Sequence, residues 1–341
     1  MCIVLITTAH PKYALIAIDN RDEYILRPTS RPHWWTHEPS GEKILSARDL
    51  YRRERGTWLG VTKSGRFAIL TNYRESSEDD PDPDHAISGI KSRGGMVTGW
   101  LGAPSELGLD DFVNSMLEGR AAKGVGGFSL VCGDLKQKTD KDIKPLAIIS
   151  NRWDHVGDVP WIGGERGQTY GLSNAVYVEP PKWEKIKIGE KLMVEAIQEA
   201  VDKDLNEDDL TERLFKVLDH DTLPLEPKMT FQEHMDALRK SVFIRSFAED
   251  QGWKEMASAA DEGRAKAAFD EIEDPSDPED QPKESSHGYF MKGAYGTQRQ
   301  TIILLDWEGN LTYKERALWD SHGTPIERGK GDETFKYKIE A

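Results

Sequence analysis

The chain has 341 residues, and its 45 lysines and arginines stand against 60 aspartates and glutamates, which gives a net charge of −15 at pH 7. This negative charge disfavours nonspecific binding to nucleic acid and to anionic lipid, and no long Lys/Arg run suggests a local exception. The two cysteines, Cys2 and Cys132, are too few for a disulfide framework and favour a reducing compartment. Because no stretch approaches the roughly 20 apolar residues of a membrane span, and no basic n-region of a signal peptide is present, we expect a cytosolic or peripherally attached protein.

The first predicted element is a hairpin. Residues 3–9 form an apolar, β-rich run, which residues 10–12 interrupt and residues 13–18 resume. Two such runs around a short breaker predict paired strands that are buried on both faces. The polar residues 19–23 are expected to end the second strand, and the proline-punctuated residues 27–35 are expected to form a loop.

The middle of the chain predicts further hairpins and two helices. Strands are expected at 57–61 and 66–70 around a turn at 63–65, helices at 95–101 and 109–117, a strand pair at 128–132 and 146–150, and a short strand or turn at 169–174.

The last third of the chain begins with helical periodicity and returns to strands. Residues 188–218 repeat apolar side chains at helical spacing, and residues 301–306 and 311–316 predict a closing hairpin. The charged residues 261–287, rich in Pro and Ser, are predicted to be a mobile acidic insertion within a single domain that spans residues 1–341. Strands, then helices, then strands again predict antiparallel sheets packed face to face, with helices outside.

Cys2 is the first candidate for chemistry. If Met1 is removed, Cys2 carries a thiol and a free α-amine on one Cα, and this amine, with an ordinary pKa near 8, can accept the thiol proton. This is the N-terminal nucleophile arrangement, which a buried strand beginning at Ile3 would hold rigidly. The alternative is that Cys2 is a small residue tolerated near a terminus.

Arg21 and Asp22 are the candidate partners of Cys2. In an antiparallel hairpin the end of the second strand lies beside the start of the first, so both side chains can approach the Cys2 amine and thiol. A carboxylate can hold the ammonium or orient the amine, and a guanidinium can lower the thiol pKa. The alternative is a structural ion pair between Arg21 and Asp22 themselves.

Short motifs follow one another along nearly the whole chain. They are Met1-Cys2 before an apolar run, Asn20-Arg21-Asp22-Glu23, Gly56-Thr57-Trp58-Leu59-Gly60, Leu70-Thr71-Asn72-Tyr73-Arg74, Gly127-Phe128-Ser129-Leu130, Ser150-Asn151-Arg152, Tyr170-Gly171-Leu172-Ser173-Asn174 and Tyr295-Gly296-Thr297. With these motifs the chain resembles the NRDE family, also called the transport and Golgi organisation protein 2 family. The acidic segments after Asn72 and before Tyr289 look like additions to the family pattern.

The resemblance implies a fold and a set of site residues. The fold is that of the N-terminal nucleophile hydrolases, an α+β, four-layer αββα sandwich of two antiparallel sheets with outer helices. In the cysteine branch of those hydrolases the first mature residue is the nucleophile, supported by an Arg and an Asp, which points to Cys2, Arg21 and Asp22. That branch places two residues between the Arg and the Asp. Here they are adjacent, so their side chains are expected on opposite sheet faces, with Asp22 the one that reaches Cys2.

The same resemblance implies asparagine side chains and backbone N–H groups around the oxyanion of the reaction. Asn174, after a strand-like run, fits this role best. Asn72 and Asn151 each end a strand and fit it less well, and a turn role is favoured for Asn151. Arg299 lies where the branch tends to supply another arginine, with a surface role as the alternative.

The remaining signals are weaker. His33-Trp34-Trp35 could line an apolar ligand pocket or bind haem, but such residues more often form a packed loop. His10 indicates a turn residue, and Cys132 indicates a buried core position. The chain has no CxxC, HExxH or glycine-rich phosphate loop to support a metal or nucleotide role, so no required cofactor is expected.

Three functions therefore stay open. The first is an amide or thioester hydrolase that uses Cys2. The second is a non-catalytic carrier on the same fold, for which the resemblance implies haem, lipid or acyl-CoA as cargo. The third is an accessory factor in secretion and Golgi organisation, with secretory-pathway components as partners. The expected location is the cytoplasm, and association with the Golgi or a mitochondrial location are the alternatives.

Overall fold

The centre of the structure consists of strands whose side chains point alternately to two buried faces. The computed structural model describes residues 2–52, 54–72, 93–118, 126–136, 144–177, 183–224, 229–267 and 290–340. The strands are β1 (Ile3–Thr7), β2 (Tyr13–Tyr24), β3 (His33–Thr36), β4 (Lys43–Ser46), β5 (Leu59–Thr62), β6 (Arg66–Asn72), β7 (Phe128–Asp134), β8 (Leu146–Ser150), β9 (Trp161–Ile162), β10 (Thr169–Ser173), β11 (Tyr295–Asp306), β12 (Asn310–Ala317) and β13 (Asp332–Lys338). The helices are α1 (Gly94–Leu101), α2 (Leu109–Leu117), α3 (Glu184–Asp202), α4 (Glu207–Leu218), α5 (Phe231–Ala237) and α6 (Asp250–Ala267).

The strands form two antiparallel sheets. The first sheet has six strands in the order β10-β1-β2-β11-β12-β13, and the second has seven in the order β3-β4-β5-β6-β7-β8-β9. In the first sheet β1 lies between β10 and β2, so that Ile3 is opposite Ser173 on one side and Asn20 on the other. The start of β1 therefore lies beside the end of β10 and the distal half of β2.

Three apolar layers hold these sheets and the helices together. Side chains of successive strand residues point to opposite faces, so each sheet supplies one set to the space between the sheets and another to its helices. The inter-sheet core includes Val4, Ile6, Leu15, Ala17, Val61, Phe67, Ile69 and Val131. The outer face of the first sheet packs Ile3, Leu5, Ile16 and Ile18 against Met193, Ile197, Leu214 and Phe215 of α3 and α4. The outer face of the second sheet packs Ala68, Leu130 and Cys132 against Val97, Trp100, Phe112 and Val113 of α1 and α2.

These layers confirm the predicted αββα sandwich. The strand pairs predicted around residues 3–18, 57–70, 128–150 and 301–316 are all present. The predicted helices at 95–101 and 109–117 are α1 and α2, and the helical stretch predicted at 188–218 corresponds to α3 and α4, with α3 beginning earlier, at Glu184. The run at 169–174 is the edge strand β10.

The prediction that residues 19–23 end the second strand is wrong, because β2 continues to Tyr24. The backbone of this polar half of β2 pairs with β1 as far as Asn20 and with β11 as far as Tyr24. These backbone partners keep the polar residues extended, and their side chains find buried polar partners instead of solvent.

Two further predictions need correction. Within the expected loop at 27–35, His33, Trp34 and Trp35 lie in β3, which pairs with β4 at the edge of the second sheet. The predicted insertion 261–287 begins inside α6, since that helix runs to Ala267, and the alanine- and charge-rich sequence there has good helix propensity. The rest of that segment lies outside the described residues.

No described helix is both long enough and apolar enough to span a membrane.

Candidate functional site

Cys2 lies immediately before β1, which is flanked by β10 and β2 in the first sheet. The Ser173 hydroxyl, at the end of β10, donates a hydrogen bond to the Cys2 carbonyl oxygen at 2.6 Å. Cys2 is a free cysteine and is half-buried, unlike Ile3 and the rest of β1, which are fully buried. The sheet therefore fixes the backbone of Cys2 and leaves part of the residue accessible.

Asp22 brings a buried carboxylate to the same end of the sheet. Its Oδ1 accepts a hydrogen bond from the Thr297 hydroxyl at 2.7 Å, and its carbonyl oxygen accepts one from the Tyr295 hydroxyl at 2.9 Å. Its Oδ2 lies 3.6 Å from the ammonium nitrogen of Lys185. Burial raises the pKa of the Asp22 carboxyl, and the Lys185 ammonium and the Thr297 hydroxyl oppose that rise.

These surroundings hold the Cys2 thiol in its protonated form. Burial raises the pKa of the Cys2 thiol to about 11, and the negative charges of Asp19 and Asp22 act in the same direction. A hydrogen bond from the Asp22 backbone acts against them. Cys2 therefore needs a neighbouring base to become a thiolate near neutral pH.

Arg21 and Asp22 make contacts on opposite sides of the first sheet, as their adjacency leads us to expect. Arg21 donates to the Gln298 side-chain oxygen, and its guanidinium carbon lies 4.2 Å from the ring centre of Trp58, at the inter-sheet core. Asp22 pairs instead with Lys185 of α3, on the helical side. An ion pair between Arg21 and Asp22 is not what holds either residue.

Asp19 adds a second buried carboxylate near Cys2. It lies on β2, and burial raises the pKa of its carboxyl well above the ordinary range, with the charge of Asp22 adding to the shift and that of Arg21 opposing it. Its Oδ2 is buried without a hydrogen-bond partner among the described residues. Sequence reasoning missed Asp19, although its polar character within an apolar strand was a usable signal.

Asn174 and Asn72 are brought together at the end of β10 and β6. The side-chain amide of Asn174, 8% exposed, donates to the backbone carbonyl of Asn72. Asn174 directly follows Ser173, whose hydroxyl donates to the Cys2 carbonyl. Asn72 takes part through its backbone, and its buried Oδ1 has no hydrogen-bond partner among the described residues.

Asn151 makes its hydrogen bond to the strand that pairs with β6. Its Oδ1 accepts a hydrogen bond from the Phe128 backbone N–H at 3.5 Å, which ties the end of β8 to the start of β7. Asn151 is fully buried, and this contact joins two strands, whereas the turn role favoured for it requires a bond to its own local backbone.

The alternative of a surface role for Arg299 is wrong, since only 4% of the residue is exposed. Its Nε lies 3.8 Å from Oε1 of Glu315, and its guanidinium also donates to the Trp319 carbonyl at 3.2 Å. Burial lowers the pKa of Arg299 to about 10, and Glu315 opposes that shift. In the sheet, Arg299 of β11 is paired with Arg21 of β2.

The residues with weaker signals do not join this site. Trp34 packs edge-on against Tyr337, whereas the indole N–H of Trp35 donates to Ser46 at 2.9 Å, so the two tryptophans of β3 do not line one pocket. His10 is buried and accepts a hydrogen bond from the Lys12 backbone N–H at 3.1 Å, as expected of a turn residue. Over the described part of the chain, no group of three or more His, Cys, Asp and Glu side chains could hold a metal ion.

Lys185 is a second site residue that sequence reasoning did not find. It is the second residue of α3, and it is fully buried. The available signal was its place on the apolar stripe of α3, since the buried positions of that helix include Lys185, Gly189, Met193 and Ala196 at helical spacing. A lysine on such a stripe is unusual, because lysines are almost never fully buried unless paired.

The fold and the site together define a class: an αββα sandwich protein with a cysteine, a carboxylate and a lysine gathered at the start of the first strand. Residues 1–320 match the sequence profile of the family described as Transport and Golgi organisation 2, and the chain belongs to that family. The family resemblance predicted from the motifs is therefore confirmed.

Curated relatives match over most of their length. The human protein named "Transport and Golgi organization protein 2 homolog" is 29% identical over 321 residues, which cover 90% of this chain and 88% of the human chain. The bovine protein of the same name is 26% identical over 324 residues, covering 92% and 89%.

Among solved structures, the chain is similar to penicillin V acylase from Agrobacterium tumefaciens, with a TM-score of 0.42 and 12% identity over 99% of this chain and 86% of that chain. It is also similar to a mutant conjugated bile acid hydrolase from Clostridium perfringens, with a TM-score of 0.38 and 9% identity over 100% and 97%. Because these TM-scores are low, the αββα architecture is assigned from the sheets and helices of this chain and not from these similarities.

Proposed function

We propose that the chain is a thiol-dependent acyl hydrolase that acts on amide or thioester bonds, with Cys2 as the nucleophile after removal of Met1. The observation that carries the proposal is the placement of Cys2 beside the buried Asp22–Lys185 pair, with its carbonyl fixed by Ser173. Perturbed titratable groups gathered around one nucleophile are typical of catalytic sites.

The thiol itself explains why an adjacent base is needed. A pKa of about 11 leaves only about one thiolate in 10⁴ molecules at pH 7. An α-amine on the same residue, with an ordinary pKa near 8, is partly neutral at that pH and can accept the thiol proton as sulfur attacks. The Asp22 carboxylate is suited to orient that amine once it has become an ammonium.

Asn174 is the proposed donor to the oxyanion. When sulfur attacks the acyl carbon, the carbonyl π bond breaks and its electron pair moves to oxygen, which then needs hydrogen-bond donors. One hydrogen of the Asn174 amide is held by the Asn72 carbonyl, and the amide nitrogen carries a second hydrogen that can serve the oxyanion.

Collapse of the tetrahedral intermediate completes the cycle. The amine or thiol leaving group departs with its bonding electrons and takes the proton held by the Cys2 ammonium, which leaves a thioester on Cys2. Water, deprotonated by the same amine, then attacks this thioester and releases a carboxylic acid and the free thiol. The reaction consumes one water for each acyl group transferred and needs no oxidant or metal.

The test is hydrolysis of a panel of N-acyl amides and acyl-CoA thioesters by the purified protein and by Cys2→Ala and Cys2→Ser variants. We expect turnover by the native protein and its loss in both variants, with Cys132→Ala as the matched control that keeps it. Turnover that survives in Cys2→Ala would contradict the mechanism.

A carrier on the same fold is the second candidate. It is supported by the raised pKa of the Cys2 thiol and by the engagement of the Asn174 amide with the Asn72 carbonyl, since neither feature hinders binding. A carrier would bind acyl-CoA or haem saturably, followed for haem by its Soret band, in native protein and in Cys2→Ala alike, and it would turn over no member of the panel.

In the cell, either activity would contribute to the transport and Golgi organisation for which the family is named. A cytoplasmic protein associated with Golgi or mitochondrial membranes is the setting we propose, to be tested by imaging a tagged chain. The tag belongs at the C-terminus, because an N-terminal tag would block exposure of the Cys2 amine.

A further inference from the structure

Lys185 occupies a position that is unfavourable for a lysine in two independent ways. Its side chain is 0% exposed, and burial disfavours the charged form of an amine. It also lies in the first turn of α3, where the helix dipole disfavours a positive charge. An apolar residue would suit both conditions better, so this lysine calls for a partner that offsets them.

The packing of α3 brings Lys185 to the Cys2 end of the first sheet. A Cβ atom on Gly189 would lie within 3.0–3.2 Å of Leu5 and Ile3, and one on Gly171 would lie 2.7 Å from Ile186, so both glycines permit a close approach of helix and sheet. The backbone N–H of Lys185 also donates to the Arg239 carbonyl at 3.0 Å, which fixes the start of the helix.

Three titratable groups lie close enough to Lys185 for their charges to act on its ammonium. Burial lowers the pKa of Lys185, while the charges of Asp22, Cys2 and Asp19 act in the opposite direction. Asp22 is the group at ion-pair distance, at 3.6 Å. The guanidinium of Arg239, whose carbonyl binds the Lys185 N–H, lies over the Trp183 ring, 5.1 Å from its centre.

We infer that Lys185 is a positioning residue of the Cys2 site: its ammonium neutralises and orients the Asp22 carboxylate beside Cys2, and through that carboxylate it sets the reactivity of the thiol. The inference rests on the proposed function of Cys2. Thr297 and Lys185 hold one oxygen each of the Asp22 carboxylate, so the charge that faces Cys2 is balanced and its geometry is fixed.

The experiment measures the rate at which iodoacetamide alkylates Cys2 in the folded protein at pH 8, by mass spectrometry of the N-terminal peptide. Lys185→Met leaves an unbalanced carboxylate beside the thiol, which raises the thiol pKa, and we expect alkylation to slow about tenfold, equivalent to one pKa unit. Lys185→Arg should keep the rate within about threefold, because it keeps the charge. Lys187→Met, an exposed position of the same helix, is the matched control and should match the native rate.

A double-mutant cycle tests whether Lys185 acts through Asp22. In Lys185→Met/Asp22→Asn the unbalanced carboxylate is gone, so the alkylation rate should return to within about threefold of the Asp22→Asn single variant. If Lys185→Met slows alkylation equally in both backgrounds, or leaves the rate unchanged while lowering the melting temperature, the inference is wrong and the lysine is only structural. Lys185→Gln replaces Lys185→Met if the latter does not fold.

Alkylation needs no substrate, so this experiment and the hydrolysis test fail separately. A coupled alkylation rate without hydrolysis would contradict the proposed function and leave the role of Lys185 standing. Hydrolysis with an uncoupled alkylation rate would do the reverse.

Discussion

The two cysteines of the chain lie in the two sheets and in contrasting surroundings. Cys132, in the middle of β7, is fully buried among apolar side chains, and burial alone raises the pKa of its thiol well above the ordinary value. Cys2, before β1, is half-buried beside the Asp22–Lys185 pair. Burial raises both thiol pKa values, so burial does not distinguish the proposed nucleophile from a core cysteine. The charged groups around Cys2 do distinguish it, because they can hold a proton or a base in place.

The largest expected difference between the cysteines is in their reactivity toward iodoacetamide in the native state. Cys132 reacts only when the protein opens, and a stability of about 5–15 kcal/mol makes that state rarer than about one in 10³. The raised pKa of Cys2 lowers its own thiolate fraction about 10²-fold relative to an ordinary thiol, so we expect Cys2 to react at least about tenfold faster than Cys132, measured on their separate peptides. Similar native-state alkylation rates for the two cysteines would contradict the expected difference between them.

The second expected effect concerns the oxyanion. Asn174→Ala removes the proposed donor and should lower kcat about 10²- to 10³-fold on any substrate found, as loss of one oxyanion donor does elsewhere. Asn72→Ala keeps the backbone carbonyl that binds Asn174, so it should lower kcat by less than about tenfold. Equal losses in the two variants would remove Asn174 from the mechanism.

The third effect is on stability, and here Cys132 is expected to be the more sensitive of the two cysteines to substitution. Cys132→Ser places a hydroxyl in an apolar layer and should lower the free energy of unfolding by about 1–3 kcal/mol. Cys2→Ser, at a half-buried position, should change it by less than about 0.5 kcal/mol. Urea denaturation of both variants measures the difference, and a larger loss for Cys2→Ser would be the contrary result.

The smallest effect is the pH dependence of stability that comes from Asp19, one of the charged groups near Cys2. Because burial raises the pKa of Asp19, the folded state keeps a proton that the unfolded state releases above about pH 4, so stability falls as pH rises from there through the folded-state pKa. Asp19→Asn mimics the protonated form. It should equal the native protein in stability near pH 4 and be the more stable of the two at pH 8. A variant less stable than the native protein at pH 8 would show that the Asp19 carboxylate is well compensated.

Much of the fold follows from local patterns in the sequence. Apolar periodicity and turn residues predict the hairpins at the start, the middle and the end of the chain, and the helices α1 to α4. The edge strands β3, β9 and β13 do not, because they are short or mixed in character and owe their conformation to pairing with a neighbour.

The site was less accessible from the sequence than the fold. Cys2 and Asp22 could be placed together from hairpin geometry, and their resemblance to the family pattern added Asn174. The buried course of β2 beyond residue 18 could not be predicted, because it depends on pairing with β11 from the other end of the chain. Lys185 left one signal in the sequence, its place on the apolar stripe of α3, and the packing of α3 onto β1 and β10 is what buries it.

The most direct test of the account is the intact mass of the native protein, taken before and after a brief reaction with an acyl substrate and an acid quench. The account predicts a chain that lacks Met1 and gains one acyl group, which peptide mapping locates on Cys2. A protein that retains Met1 and still hydrolyses the substrate, or that carries the acyl group on another residue, would contradict it.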